Sequence, residues 1–477
     1  MTLPRLWAFL AIALPTLAAA VAAMSTVDLT YQLRAGAQIL AGDGIPSVDT
    51  WTFTATGLPW FDQQWSAQVV LAGVYQVAGW TGLVILRCGL VALIFGCLFE
   101  IGRRRDLGLR RAAWLTLAAF VVCAPALALR PQLGGMALFA ATLLIVSDRR
   151  AHPTRLWAVP ILVAVWANVH GSFFLGPLVL GLAWLEDVHD RIERPHPTLV
   201  VAVVSVAAAC LTPFGPTVWG YAVGLSVNPS VTGRITEWLP TSLRDVAGIL
   251  FFASVASVVV LIGRQGRVVS WPNLLWLAVF LGIGAYAARG IAWWALAAVP
   301  LVAALVSVQT PSTAAAPTAR ASETRLTRRL NVFVVGAFAV AGVVALPIWR
   351  PVDPATGAPE GVLREAPPGI TTAVRAQVRP GARLYNPQPW GSWFEFAVPD
   401  LPVAIDSRIE LFPAQVWTDY LDVLAGREGW SAILDRWAVT VAVVDDRDGD
   451  LAKRLASAGW TRTYDDEDGA VFTAPAR

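Results

Sequence analysis

Four aspartates, Asp28, Asp43, Asp49 and Asp62, fall in one stretch, VDLTYQLRAGAQILAGDGIPSVDTWTFTATGLPWFDQQW (27–65), together with Arg34, Trp51, Trp60 and Trp65. A connector between two helices needs only a few residues, so a long acidic and aromatic one has room for a ligand. Further polar groups stand out from apolar surroundings: Arg130 in LALRPQL, Asn168 and His170 in WANVHGSF, Glu237 and Trp238 in ITEWLP, and Arg289 in YAARGIAWW. Carboxylates can take the proton of an attacking hydroxyl, and guanidinium groups can hold a departing phosphate. Tryptophan faces suit stacking on sugar rings. Together these types fit transfer of a group from a lipid phosphate to a hydroxyl.

Each residue also has a purely structural reading. Asp28 can cap a helix running from Leu29 through Leu40, and Asp49, after Pro46-Ser47, can form a turn. Arg130 at a span boundary can snorkel, and Trp293 and Trp294 beside Arg289 can be interface anchors. His170 has no second histidine at metal-ligand spacing and can be a satisfied structural residue. Glu237 can pair with Arg234, three residues before it.

The elements that must carry these residues are membrane helices. Hydrophobic residues make up 56% of the 477 positions, charged ones 14%, and the mean hydropathy is +0.58, which excludes a soluble protein of this size. Apolar runs at 6–24, 78–99, 112–129, 132–147, 157–169, 172–185, 198–211, 246–263, 272–287, 290–308 and 331–348 predict about eleven spans. The 157–185 stretch divides in two because Asn168, His170, Gly171 and Ser172 are costly in mid-bilayer but not at a turn. Arginines recur in every second loop: Arg103, Arg104, Arg105, Arg110 and Arg111; Arg149, Arg150 and Arg155; Arg191 and Arg194; Arg264 and Arg267; Arg320, Arg325, Arg328 and Arg329. This predicts a cytoplasmic N-terminus and an extracytoplasmic C-terminus in the plasma membrane, with the first apolar segment retained as a span.

The expected organisation is a membrane domain over 1–308 with a long first outer loop at 25–77, and a basic Ala/Thr/Pro-rich linker at 309–330. A last span at 331–348 follows, then a small extracytoplasmic α/β domain at 349–477. Cys88, Cys97, Cys123 and Cys210 all lie in apolar runs and read as core residues, not a disulfide frame or metal set. No Walker loop, dinucleotide glycine fingerprint or GxSxG elbow is present, and no nucleic-acid partner is expected. The acidic run at 445–450 fails the calcium-loop pattern, since Leu451 replaces its glycine.

A long first outer loop with an acid just after span one, a following amphipathic helix, many spans and an outer α/β domain resemble the GT-C superfamily of polytopic glycosyltransferases, which use polyprenyl-phosphate-linked sugars. The chain is also similar to a group of bacterial membrane proteins that share the run at 28–65 and the elements at 130–132, 166–173, 213–215, 237–240 and 391–408. The resemblance implies a glycosyltransferase acting on an extracytoplasmic glycan, lipid or protein. Asp28 would be the general base or metal-assisting carboxylate and Asp49 the second acid, with Glu237 or His170 assisting. Arg130, Arg289 and Arg34 would hold the donor phosphate, and Trp60, Trp65 and Trp238 the sugars. Many GT-C enzymes carry two adjacent acids in this loop, whereas Val27 and Leu29 flank Asp28, so a divalent metal has no clear motif here. A flippase for a lipid-linked sugar and a non-catalytic envelope scaffold using Trp390, Trp393, Asp406 and Arg408 are the alternatives.

Overall fold

The computed structural model describes residues 1–228, 233, 236–264, 268–308 and 324–475. Residues 309–323 of the expected linker, and Arg234, Arg267 and Arg320, lie outside the described residues. The chain divides into two compact units. One comprises Met1–Ala22 and Val84–Leu346, the other Ala23–Leu83 and Pro347–Arg477.

The first unit is helical. Among the described residues of the whole chain, seven helices are long and apolar enough to cross a membrane: Leu3–Val21, Trp65–Arg104, Gly108–Ala126, Gly171–His189, Val246–Arg264, Ala288–Ser307 and Arg325–Ala345. Four shorter apolar helices, Pro131–Ser147, Pro153–Val169, His196–Ala208 and Trp271–Tyr286, coincide with the remaining expected spans. The chain is a multi-pass membrane protein. The helix over Trp65–Arg104 changes direction at Gly79, whose φ of 56° and ψ of −153° belong to glycine. At the other break, the Ala158–Val169 helix ends on an extended His170. There Nδ1 of His170 meets Oγ of Ser172 at 2.7 Å, and Nε1 of Trp166 donates to the same oxygen at 3.1 Å. These side chains satisfy polar groups that a continuous helix would have left facing lipid.

The second unit is built on a four-stranded sheet. Leu384–Tyr385 runs parallel to Val441–Asp445, which pairs antiparallel with Gly469–Thr473, which in turn pairs antiparallel with Thr461–Asp465. Val441–Asp445 is buried along its whole length, as its apolar VAVV run requires. The long loop after the first helix belongs to this unit. Met24–Ser25 pairs in parallel with Leu363–Arg364, Phe53 donates its backbone N–H to Val403 O at 3.1 Å, and Thr54 donates through its hydroxyl to Ala404 O. The sequence places the loop with the membrane spans. The chain folds it against its own C-terminal segment, because non-local backbone pairing of this kind leaves no local sequence signal.

Two glycines allow close backbone approaches elsewhere in this unit. A Cβ on Gly391, in the Gln388–Ala397 helix, would stand 2.0 Å from Ile405 O, and one on Gly36, in the Thr26–Ala41 helix, 2.1 Å from Gln68 O. Backbone oxygens cannot swing aside as a side chain can. Gly391→Ala is expected to destabilise the second unit by about 1–3 kcal/mol or more, whereas Gly73→Ala, with open space at its Cβ, leaves it unchanged. Limited proteolysis along a denaturant series would read both.

Candidate functional site

In the second unit, Ser25 and not Asp28 begins the first helix. The Ser25 hydroxyl accepts from the Val27 N–H at 3.4 Å, and the helix runs Thr26–Ala41, three residues earlier than expected. Asp28 therefore sits half-buried inside the first turn, where the helix dipole favours a carboxylate but no cap is required of it.

Asp49 points inward. Fully buried, it accepts from Thr52 N–H at 3.1 Å and Thr52 Oγ1 at 2.6 Å, so it does form the turn. It also accepts from Nη2 of Arg408 at 2.7 Å. Arg408, 1% exposed, donates through Nε to Asp406 at 2.8 Å and through Nη2 to Asp406 and, at 3.5 Å, to Glu395. Its guanidinium lies 4.5 Å from the ring centres of both Trp51 and Trp60. Trp60, expected on a sugar, is thus largely occupied by a cation–π contact. Arg34 donates to Glu395 O at 2.8 Å and lies 4.8 Å from the Trp51 ring. Trp65 opens the helix that follows the loop.

Burial would lower Arg408, but Asp406, Glu395 and Asp49 outweigh it and raise its pKa further. Burial first, and then Asp406, pushes the Glu395 carboxyl well above its usual range. Asp49 and Asp406 face Arg408, with Arg34 nearby.

Next to this cluster lies Asp62, 3% exposed, whose Oδ1 accepts from Gln68 Nε2 at 2.6 Å. Its Oδ2 is buried without a hydrogen-bond partner. Burial pushes this carboxyl up to about 7 against the Gln68 bond and Arg408, and Glu410 adds to the rise. Glu410, reached by solvent yet hemmed in by protein, is raised by desolvation, then by Asp406 and Asp28. Asp28 thus acts on Glu410 and Glu410 on Asp62, and Asp62, near 7, is poised to exchange a proton at neutral pH. Sequence reading marked Asp62 only as part of the loop and missed Glu395 and Glu410. The Asp406–Arg408 spacing was the available pointer.

The first unit holds the other set. Arg130 donates to Glu237 from both Nη1 (3.0 Å) and Nη2 (2.7 Å), a bidentate pair, and Arg289 Nη2 stands 4.0 Å from the same carboxylate. Arg289 lies 4.7 Å from the Trp238 ring. Burial works against ionisation of Glu237, but Arg130 and then Arg289 hold its pKa below the usual value. Arg130 precedes Pro131 at the start of the Pro131–Ser147 helix, and Arg289 lies in a short turn before Ile291. Both border a cavity of about 110 Å³ that Gln132, Glu237 and Cys123 also line. His170, half-buried and held by Ser172, lies within the field of Arg289 and Arg130. So Arg130, Arg289, Glu237, His170 and Trp238 fall in the first unit, and Asp28, Asp49, Arg34, Trp60 and Trp65 in the second. Among the described residues, no three His, Cys, Asp or Glu side chains are arranged to hold a metal ion.

No family model matches this sequence, and no curated protein does. Solved structures do. Archaeal oligosaccharyltransferase AglB from Archaeoglobus fulgidus, in complex with an inhibitory peptide and a dolichol-phosphate, is similar at a TM-score of 0.59 and 12% identity, covering 92% of this chain and 69% of that chain. The apo form of the A. fulgidus oligosaccharyltransferase is similar at a TM-score of 0.51 and 11% identity, with the same coverages. The chain shares its fold with AglB.

Two outcomes follow for the ionic cluster. Arg408→Leu strands two buried carboxylates and is expected to cost the second unit about 3–5 kcal/mol, measured by chemical unfolding. For Asp62, the folded carboxyl near 7 lies above its ordinary 3.8, so the native state binds the extra proton between them. Stability must therefore fall as pH rises from about 4 to about 7, by up to about 1.4 kcal/mol per unit. An Asp62→Asn variant whose stability keeps that slope would remove Asp62 as its source.

Proposed function

We propose that this protein is a membrane glycosyltransferase that moves a sugar from a polyprenyl-phosphate donor to an extracytoplasmic acceptor. The observation that carries the reading is the AglB fold over 92% of the chain, AglB being an oligosaccharyltransferase whose structure contains a dolichol-phosphate. In this reading the N-terminus is cytoplasmic, and the sheet-bearing unit with the first loop lies outside.

The reaction needs an anion-holding group and a proton acceptor. Arg130 and Arg289 supply the first. In this reading Glu237 orients both guanidinium groups at one cavity, and they hold the departing polyprenyl phosphate. Within the second unit, the candidate for the second is Asp28. The acceptor oxygen forms a bond to the anomeric carbon, the bond from that carbon to the phosphate oxygen breaks, and the acceptor proton passes to Asp28. Asp62 and Glu410, both with raised pKa values, can relay that proton. Asp49, Trp60 and Arg34 act by holding the loop in place, since their polar atoms and faces are already engaged. His170, Trp65 and Trp238 retain assisting and sugar-contacting roles.

The test is transfer of radiolabelled sugar from a panel of synthetic polyprenyl-phosphate donors by purified protein. Asp28→Asn is expected to lower the rate by about 10²–10⁴-fold, and Arg130→Gln to weaken donor use with folding intact. Full activity in a folded Asp28→Asn protein removes Asp28 as the base. Saturable lipid binding without turnover on any donor replaces the enzyme by a lipid-linked sugar flippase.

A further inference from the structure

A second polar cavity, of about 250 Å³, opens where three helices of the membrane unit end in arginine-rich turns. Arg104, Arg105, Arg149, Arg150, Asp148 and Glu186 line it. Its volume is several times the roughly 30 Å³ that one water occupies in the liquid. Basic residues are expected on this face from orientation alone, so the arginine count decides nothing. What matters is how the charges are paired.

The acids are already engaged. Asp187, 3% exposed, binds Arg149 through Nε at 3.0 Å and Nη2 at 2.8 Å, takes Arg150 Nε at 2.9 Å and accepts from Thr198 Oγ1 at 3.1 Å. Glu186 accepts from Arg149 Nη2 at 2.6 Å. Asp148 is shared by Arg104 at 2.6 Å, Arg155 at 2.9 Å and His152 at 2.9 Å. Arg149 itself is 5% exposed and bound through all three nitrogens, its remaining contacts being the carbonyls of Val146 and Ala183. These bonds make a rigid wall. Arg105 stands apart: half-buried, it makes no hydrogen bond or ion pair through its guanidinium to any described residue. Burial lowers its pKa, Glu186 partly offsets this, and Arg149 and Arg150 lower it again, yet arginine stays charged. The cavity thus presents an uncompensated cation, beside Arg104 and Arg150, to an opening that no side chain fills.

We infer that this cavity is a binding site for a phosphate anion, and that the anionic headgroup of a membrane phospholipid supplies it. The lipid source follows from position: the site lies at the ends of the Trp65–Arg104, Pro131–Ser147 and Leu175–His189 helices, the level at which headgroups sit, on the face the arginine pattern assigns to the cytoplasm. The cavity takes no part in the sugar-transfer reading.

The experiment measures binding of short-chain phosphatidylglycerol, short-chain phosphatidylcholine and inorganic phosphate to the purified full chain. The variants are Arg105→Gln, Arg105→Lys and, as a charge-matched control from the same loop, Arg110→Gln, whose exposed guanidinium lies toward Trp7 and not in the cavity. Saturable phosphatidylglycerol binding, weakened about tenfold or more in Arg105→Gln but retained in Arg110→Gln and partly in Arg105→Lys, supports the lipid site. Phosphate binding with the same Arg105 dependence, and no lipid binding, supports the anion site but assigns it a soluble phosphate. Equal weakening by Arg105→Gln and Arg110→Gln, or equal binding of phosphatidylcholine, overturns the proposal and leaves only general membrane electrostatics.

Discussion

Arg408 has to remain charged in a place that water does not reach, and the second unit is organised around meeting that demand. A buried guanidinium loses hydration worth several kcal/mol, which its acceptors and surrounding ring faces must offset; here Nε and Nη2 find carboxylates while Nη1 has no hydrogen-bond partner. The acceptors come from three parts of the chain: Asp49 in the first loop, Glu395 in the Gln388–Ala397 helix, and Asp406 two residues upstream. Meeting them fixes the loop against the C-terminal segment. Trp51 and Trp60 complete the enclosure with their ring faces, which present negative potential to a cation without adding a charge to neutralise.

The same constraint reaches the titration of its neighbours. Burial, and then Asp406, pushes the Glu395 carboxyl well above its usual range, and Arg408 does not offset the burial of Asp62. The result is a set of carboxyl groups, Glu395, Asp62 and Glu410, that burial raises above their ordinary range. Rigid scaffolding by the ionic core and adjustable protonation beside it are two consequences of one desolvation problem.

The arginines of the membrane unit solve a different problem. Arg130 and Arg289 share Glu237, so neither is an isolated charge near lipid. A bidentate carboxylate also fixes the plane of the Arg130 guanidinium, which lessens the side-chain entropy lost when an anion binds. At the opposite extreme, Arg149 is so fully bonded that it serves as wall, not ligand.

From the sequence alone the membrane class, the positions of the apolar helices and the break around His170 were legible, because hydropathy over one helix length and the cost of polar groups in lipid are local properties. The residue types of a transferase site were legible too, and Arg130, Glu237 and Arg289 do meet. Their partners were not: Glu237 binds Arg130, 107 positions away, where the sequence offered Arg234. Asp49 and Trp60, expected on substrate, turn inward to Arg408, 359 positions beyond Asp49. The helix at Asp28 begins at Thr26 because Ser25 caps it and Met24–Ser25 pairs with Leu363–Arg364. A carboxylate reads the same in sequence whether it faces solvent or an arginine. Only folding, which brings distant charges together and removes their water, decides which carboxylates become structure and which stay available for chemistry.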